Sequence, residues 1–277
     1  MNAINASAVL DRVNNLPSVP KVIRELMAEF DKPDTDVDRV SLLIQTDPVM
    51  AAKVLRLANS AFYGRKGQVS RLNDAVVFIG THAARNLVMS VGLASAVKFP
   101  ETFPKQSFWR YSLHSAVAAR HLASCSRQDA ETAFALGLMR AIGEPIAAGV
   151  VGKQLEEIDA QCPFFDVARI KAERDKLGFS YIEVSAALAE RWQFPQEMTA
   201  ALRYSDTPDR TSSTAKMGAL IAVGAWVAGE FEVRPRTPDW IPDRIKADVH
   251  FAGLDEAMLK AMPPLNQLAQ GLESLVA

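Results

Sequence analysis

Three features of the 277-residue sequence predict an all-α fold. Apolar residues recur at three- and four-residue intervals almost throughout, the spacing that keeps one face of a helix apolar. No stretch sustains the period-two alternation rich in Val, Ile and Thr that a half-buried strand needs. Proline and capping residues cut the apolar pattern into helix-sized pieces.

Taken in order, Ser7 caps a first helix to about Asn14, and Leu16-Pro17-Ser18-Val19-Pro20 turns the chain. Pro20 starts the helix Lys21 to Phe30, because proline in a first turn loses no needed hydrogen bond. Asp31-Lys32-Pro33-Asp34 ends it, and Val37, Val40, Leu43 and Ile44 mark an amphipathic helix finishing near Thr46. Asp47 is a good N-cap for the next helix, with Pro48 at its first position and Val49, Ala52, Leu55, Arg56 and Asn59 on one face. After the loop Tyr63-Gly64-Arg65-Lys66-Gly67, Ser70 caps a helix to Gly80 and Thr81 caps one to Val97. Phe99-Pro100-Glu101-Thr102-Phe103-Pro104 is the expected boundary, since its two prolines forbid a continuous helix. Helices are then expected over Phe108 to Ser124, Asp129 to Val151, Asp166 to Lys176, Tyr181 to Trp192, Pro195 to Tyr204 and Thr214 to Gly229. A proline-rich excursion from Pro235 to Pro242 precedes short helices starting at Asp255 and Pro264. The expected organisation is an N-terminal helical lobe over 1–98, packed on a helical bundle over 107–229, with a C-terminal helical extension over 230–277.

Composition narrows the function. With 49% hydrophobic and 23% charged residues the chain has globular rather than disordered usage. Its 31 basic residues against 32 acidic ones leave a net charge of −1, no field to hold a polyanion, so nucleic acid is not an expected partner. Cys125 and Cys162 form at most one bridge and no CxxC, which points to a reducing cytoplasm. Asp11, Arg12 and Pro17 interrupt the first twenty residues, so no signal peptide is expected. The longest weakly polar run, Gly218 to Gly229, falls short of the roughly 20 residues that span a bilayer, and no membrane partner is expected. Neither a Walker loop, a GxGxxG, a GxSxG nor a HExxH occurs, and no cofactor is expected.

The histidines are His82, His114, His121 and His250. His114 and His121 are seven apart on one predicted helix, thus about 10 Å apart along its axis, which does not suit a single metal ion. The plain reading is two hydrogen-bonded histidines on a partly buried helix.

Leu16-Pro17-Ser18-Val19-Pro20, Ile44-Gln45-Thr46-Asp47-Pro48 and Leu55-Arg56-Leu57-Ala58-Asn59-Ser60-Ala61-Phe62-Tyr63-Gly64 resemble the signature of the HDOD output domain. This is a helical bacterial signalling module related to HD-type phosphohydrolases. The match continues through Ser70, Ala75, Ile79-Gly80 and Arg85-Asn86-Leu87. Ala135-Leu136-Gly137-Leu138-Met139-Arg140-Ala141-Ile142-Gly143 stands where HD relatives carry "GLLHDIG", and Ala189-Glu190-Arg191-Trp192-Gln193-Phe194-Pro195 resembles "aerWglP". The resemblance spans roughly 10–205.

In a catalytic HD site an upstream His, the His-Asp pair and later His or Asp ligands bind one or two metals that generate hydroxide. By this resemblance His114 matches the upstream His, the central pair is Arg140-Ala141, and later ligand positions fall at Tyr181 and around Tyr204-Ser205. Arginine has no acceptor and alanine no ligand atom. The resemblance therefore implies a degenerate HD-like bundle whose relict pocket is formed by His114, Arg140, Ala141, Tyr181 and Tyr204, with neither metal nor catalysis. The ordinary role for Arg140 is pairing with Glu144, one turn on.

At the end of the Asp47–Asn59 helix, Asn59, Ser60, Phe62, Tyr63 and Arg65 form a candidate interaction surface, beside a local cluster of Arg56, Lys66 and Arg71. The competing account is helix capping by Asn59 with the aromatics packed beneath. The expected function is non-enzymatic signal output or scaffolding through another signalling protein. The alternatives are a metal-dependent phosphohydrolase acting on a nucleotide, and a sensor that binds a small anion through Arg140.

Overall fold

Short polar side chains start many of the helices. In this computed structural model Asp47 Oδ1 accepts the Val49 and Met50 N–H groups at 2.9 and 3.0 Å, with Pro48 first in its helix, as predicted. Asp36, Asp129, Ser180 and Asp255 cap their helices in the same way. Ser70 does not: its helix begins at Leu72, after an extended Arg71.

The structure describes residues 6–12, 20–60, 63, 69–206, 211–212, 214–233 and 240–275. In chain order the helices are α1 (Ala6–Arg12), α2 (Lys21–Phe30), α3 (Val37–Gln45), α4 (Pro48–Ala58), α5 (Leu72–Ile79), α6 (Thr81–Ala96), α7 (Lys105–Cys125) and α8 (Ala130–Met139). There follow α9 (Gly143–Asp159), α10 (Arg169–Leu177), α11 (Tyr181–Arg191), α12 (Gln196–Tyr204), α13 (Ala215–Val233), α14 (Asp243–Phe251), α15 (Glu256–Lys260) and α16 (Leu265–Leu268). The fold class is all-α, with no strand among the described residues.

Two predicted elements differ. The single helix expected over Asp129 to Val151 is two, because Pro145 has no N–H to give the Ala141 carbonyl; that carbonyl takes the Glu144 N–H at 2.9 Å instead. Helix α14 falls between the Pro235–Pro242 excursion and the helix expected from Asp255, a stretch to which the sequence assigns no element; Pro242 precedes its first turn and Ile245 and Val249 supply its buried face.

The residues fall into two compact units, one of residues 1–17 and 97–265, the other of 18–96 and 266–277. This differs from the expected division at both ends. In the first unit α1 lies against α9 and α11, where Val9 and Leu10 are buried and Asp11 pairs with Arg191. Helix α14 packs on α13, so residues to 265 join this unit instead of forming an extension. Its centre is the contact of α7 with α8 and α13. A Cβ at Gly224 would lie 2.7 Å from the backbone nitrogen of Ala119, so only glycine lets α13 approach α7 this closely.

The second unit is built on α2–α6, with Ile23, Leu26, Val40, Ile44, Val54, Leu57 and Val76 buried. Gly80, at φ +86°, joins α5 to α6 through a bend of 108°. The Leu275 carbonyl accepts from Lys53 Nζ at 2.7 Å, which ties the chain's last described residue to α4.

The most apolar long stretch is Ala130–Asp159 and not Gly218–Gly229: by length and composition it is enough to cross a membrane, and the bent pair α5–α6 adds a second such stretch. Of its most apolar window, 83% is buried inside the protein, as in a core helix.

Gly224→Ala is expected to cost about 1–3 kcal/mol and lower Tm by several degrees. Gly149→Ala, on α9 with nothing within 4 Å of the added Cβ, should leave Tm unchanged or slightly raised. Thermal unfolding of the two variants checks this; equal losses would contradict the close helix approach.

Candidate functional site

The turn between α8 and α9 carries Arg140 and Ala141 into the interior of the first unit, and both are buried. Arg140 closes α8 by giving its N–H to the Leu136 carbonyl at 2.9 Å. Ser185 of α11 holds the turn: its Oγ accepts from Gly143 N–H at 2.8 Å and donates to the Arg140 carbonyl at 2.8 Å. Gly143 has to be glycine here, since a Cβ would sit 2.1 Å from the Tyr181 carbonyl oxygen.

Arg140 Nη1 donates to Tyr181 Oη at 2.9 Å, and Cζ lies 5.8 Å from that ring's centroid. The predicted pairing with Glu144 does not form. Burial opposes charge on Arg140, but Tyr181, Tyr111 and Asp206 outweigh it and raise its pKa further. Burial also pushes the Tyr181 phenol well above its ordinary value, only partly offset by Arg140. Arg140, Tyr111, Tyr181, Asp166, Ile170 and Trp226 line a partly open crevice of about 20 Å³, room for one or two water-sized groups.

The other expected pocket residues lie elsewhere. His114 on α7 places Nδ1 3.2 Å from Glu232 Oε1 and packs edge-on against Phe231. Arg110 grips the same carboxylate through Nε and Nη2. Burial works against charge on Glu232, yet the hydrogen bonds from His114 and Arg110 hold its carboxyl below the usual range. Tyr204, half-buried at the end of α12, covers Gly218 of α13. The structure therefore brings together Arg140, Ala141 and Tyr181, and places His114 and Tyr204 in other contacts.

An ionic network missed by the sequence reading supports this crevice. Arg169, fully buried, gives Nε to Glu173 at 2.8 Å, Nη2 to Glu144 at 2.5 Å, and Nη1 to Asp159 and to the Cys162 carbonyl. Glu173 Oε2 in turn accepts the Tyr181 N–H at 2.7 Å, fixing the start of α11. Burial and the neighbouring Glu173 carboxylate raise Glu144 well above the usual range against the pull of Arg169. Beside it, Asp206 Oδ2 accepts from Arg174 and Ser180. The α10 sequence Arg-Ile-Lys-Ala-Glu-Arg-Asp-Lys-Leu is so polar that it reads as solvated; only its i,i+4 spacing of Arg169 and Glu173 hinted at a pair.

In the second unit Asn59 spends its amide internally. Nδ2 donates to the carbonyls of Leu55 and Val69 at 3.0 and 2.7 Å, and Oδ1 accepts from Val69 N–H at 2.9 Å. Ser60 is buried and donates to Leu57. Capping thus accounts for both residues. Tyr63 stacks edge-on against Phe78, and Phe62 and Arg65 lie outside the described residues, as does the Leu16–Val19 motif.

No group of three or more His, Cys, Asp or Glu among the described residues is arranged to hold a metal ion. Of the residues lining the crevice, Asp166 alone carries an ordinary metal ligand, and its Oδ1 already accepts the Ala168 N–H; the guanidinium and phenols beside it do not fit a divalent cation.

The family model of the HDOD domain matches residues 16–208. An uncharacterized protein of Treponema pallidum (strain Nichols) is 24% identical over 210 residues, covering 72% of this chain. The chain spans 39% of that relative's length. Among solved structures, a protein of Shewanella amazonensis SB2B, provisionally named a phosphohydrolase, is similar with a TM-score of 0.73 at 28% identity, covering 99% of both chains. A protein of Marinobacter aquaeolei VT8, provisionally named a signal transduction protein, shares the fold with a TM-score of 0.69 at 24% identity, covering 94% of this chain and 58% of that one.

Glu144 supplies a pH test. Its carboxyl is held above its ordinary value, so between the two values the folded chain keeps a proton that the unfolded chain has lost. Stability from this group therefore falls as pH rises through that window, by up to about 1.4 kcal/mol per pH unit. Glu144→Gln should match wild type near pH 4.5 and become the more stable toward pH 8, by thermal unfolding. The opposite trend would place a charged Glu144 in the fold.

Proposed function

Since the chain belongs to the HDOD domain family, matched over residues 16–208, we propose that it is a non-enzymatic signalling module that works by binding another protein. The observation that carries this reading is the Arg140-Ala141 turn. Where the resemblance to HD enzymes sets a metal-binding His-Asp pair, this chain has a buried guanidinium and a methyl group, neither with a lone pair to offer. His114, the one retained position, is engaged with Glu232. The provisional names of the two structural relatives, hydrolase and signal transducer, pull apart, and the residues at this turn favour the second. The reading includes a cytoplasmic location, with neither nucleic acid nor membrane as partner.

Hydrolysis assays with bis(p-nitrophenyl) phosphate and a cyclic dinucleotide, each with added Mn²⁺, Mg²⁺, Fe²⁺ or Ni²⁺, are expected to give no turnover above buffer. Turnover that His114→Ala abolishes would overturn the non-enzymatic reading and favour the phosphohydrolase.

The partner surface is proposed to lie at Tyr63 and Arg65, since Asn59 and Ser60 are committed to the loop itself. Tyr63→Ala combined with Arg65→Ala should weaken capture of the native partner at least tenfold while Tm stays within a few degrees. Unfolding with undiminished capture by the folded fraction would make Tyr63 a packing residue only.

A further inference from the structure

Residues 266–275 rejoin the second unit after the chain has built the first, and they lie outside the residues matched to the HDOD domain. The 3₁₀ turn Glu273–Leu275 rests on α4, where the Leu275 carbonyl accepts from Lys53 Nζ at 2.7 Å. Gly271, at φ +83°, passes over Ser60, so that a Cβ there would stand 3.7 Å from the serine Cβ. Ala269, Leu272 and Leu275, three apart, are buried, while Gln270, Gly271 and Glu273 are exposed. One side of the segment is therefore apolar and turned inward.

Two features make this segment separable from the helix it covers. Its backbone bonds close on themselves: the N–H groups of Gln270, Leu272 and Leu275 meet the carbonyls of Gln267, Ala269 and Leu272, and Gly271 N–H meets Glu273 Oε2 at 3.0 Å. The segment can leave α4 without orphaning those groups, losing its apolar contacts and the Lys53 bond. The second feature is its position. Ser60, beneath it, accepts the Tyr63 N–H through its carbonyl at 3.2 Å, which sets the segment one turn from the surface assigned to the partner.

We propose that residues 269–275 are an intramolecular strap beside the partner surface, displaced when a partner lays a segment of the same chemistry on α4. That chemistry is two aliphatic side chains three positions apart, the spacing of Leu272 and Leu275, with a main-chain carbonyl toward Lys53. The strap is a stand-in for the partner's segment, and with it in place the partner reaches Tyr63 without its apolar anchor. The inference rests on the reading that the partner docks at Tyr63 and Arg65; the first measurement below tests the strap without any partner.

Thiol labelling under native conditions, in a Cys125→Ser background, compares Ser60→Cys beneath the strap with Ser41→Cys, buried on α3 of the same unit. The thiol at position 60 is expected to react roughly tenfold faster than that at position 41, and added Leu275→Ala should speed position 60 alone. Equal rates would mean that Ser60 is reached only when the unit unfolds, and would overturn the strap. A fluorescein-labelled peptide of residues 266–277 then tests the face. It should bind Leu272→Asp combined with Leu275→Asp roughly tenfold more tightly than wild type, whose own strap competes at high effective concentration. It should not bind oxidised Ser60→Cys combined with Gly271→Cys, where the 3.7 Å Cβ spacing suits a disulfide, until the bond is reduced. No binding to the released variant, or equal binding to the released and locked forms, would overturn the proposal. Should the double aspartate variant fail to fold, Leu275→Ala takes its place in the same comparison. A strap that opens and a face that binds peptide, with partner capture unchanged in Tyr63→Ala combined with Arg65→Ala, would uphold the strap and remove the partner reading alone.

Discussion

A guanidinium taken out of water costs several kcal/mol unless its N–H groups find acceptors, and Arg169 places four of its five on residues from three separate segments. Glu144 and Asp159 come from the two ends of α9, Cys162 from the loop behind it, and Glu173 from the next turn of α10. Glu173 then takes the first N–H of α11. Positions of α9, α10 and α11 are thus set by one charge, and with them the phenol that meets Arg140. The network places α11, whose Ser185 and Tyr181 meet the α8–α9 turn, while Gly143 and Pro145 shape the turn itself.

His114 illustrates how a retained residue changes its work. In this fold it sits on α7 beneath α13 and, with Arg110, forms a polar clamp on Glu232. The clamp links two helices that already approach closely across the Gly224–Ala119 contact. A side chain that the resemblance sets among metal ligands here braces two helices.

Local rules were legible in the sequence; long-range electrostatics were not. Asp47-Pro48 announces a helix start because capping is decided within four residues, and the structure forms the hydrogen bonds that rule requires. The break at Arg140–Ile142 was equally local, carried by Pro145, but the apolar run around it masked the signal. Arg169 was opaque for another reason. A polar helix is ordinarily solvated, and nothing in Arg-Ile-Lys-Ala-Glu says that Glu144, twenty-five positions earlier, will cover it. For Arg140 the burial was readable from its apolar neighbours, while its partner was not, because the i,i+4 rule names Glu144 and the fold gives Glu144 to Arg169.

Both units are discontinuous in the chain, which bears on how they are made. Helix α1 finds its docking face only once Arg191, 180 positions later, exists, and Lys53 waits 222 positions for the Leu275 carbonyl. At ribosomal speeds of about 5–20 residues per second those gaps are intervals of roughly 10–45 s. Until α9 and α11 are made, Val9 and Leu10, destined for burial, lack the native surface that covers them. A nascent chain of this design covers α1 only after residues 143–191 are made, and joins Lys53 to the Leu275 carbonyl later still.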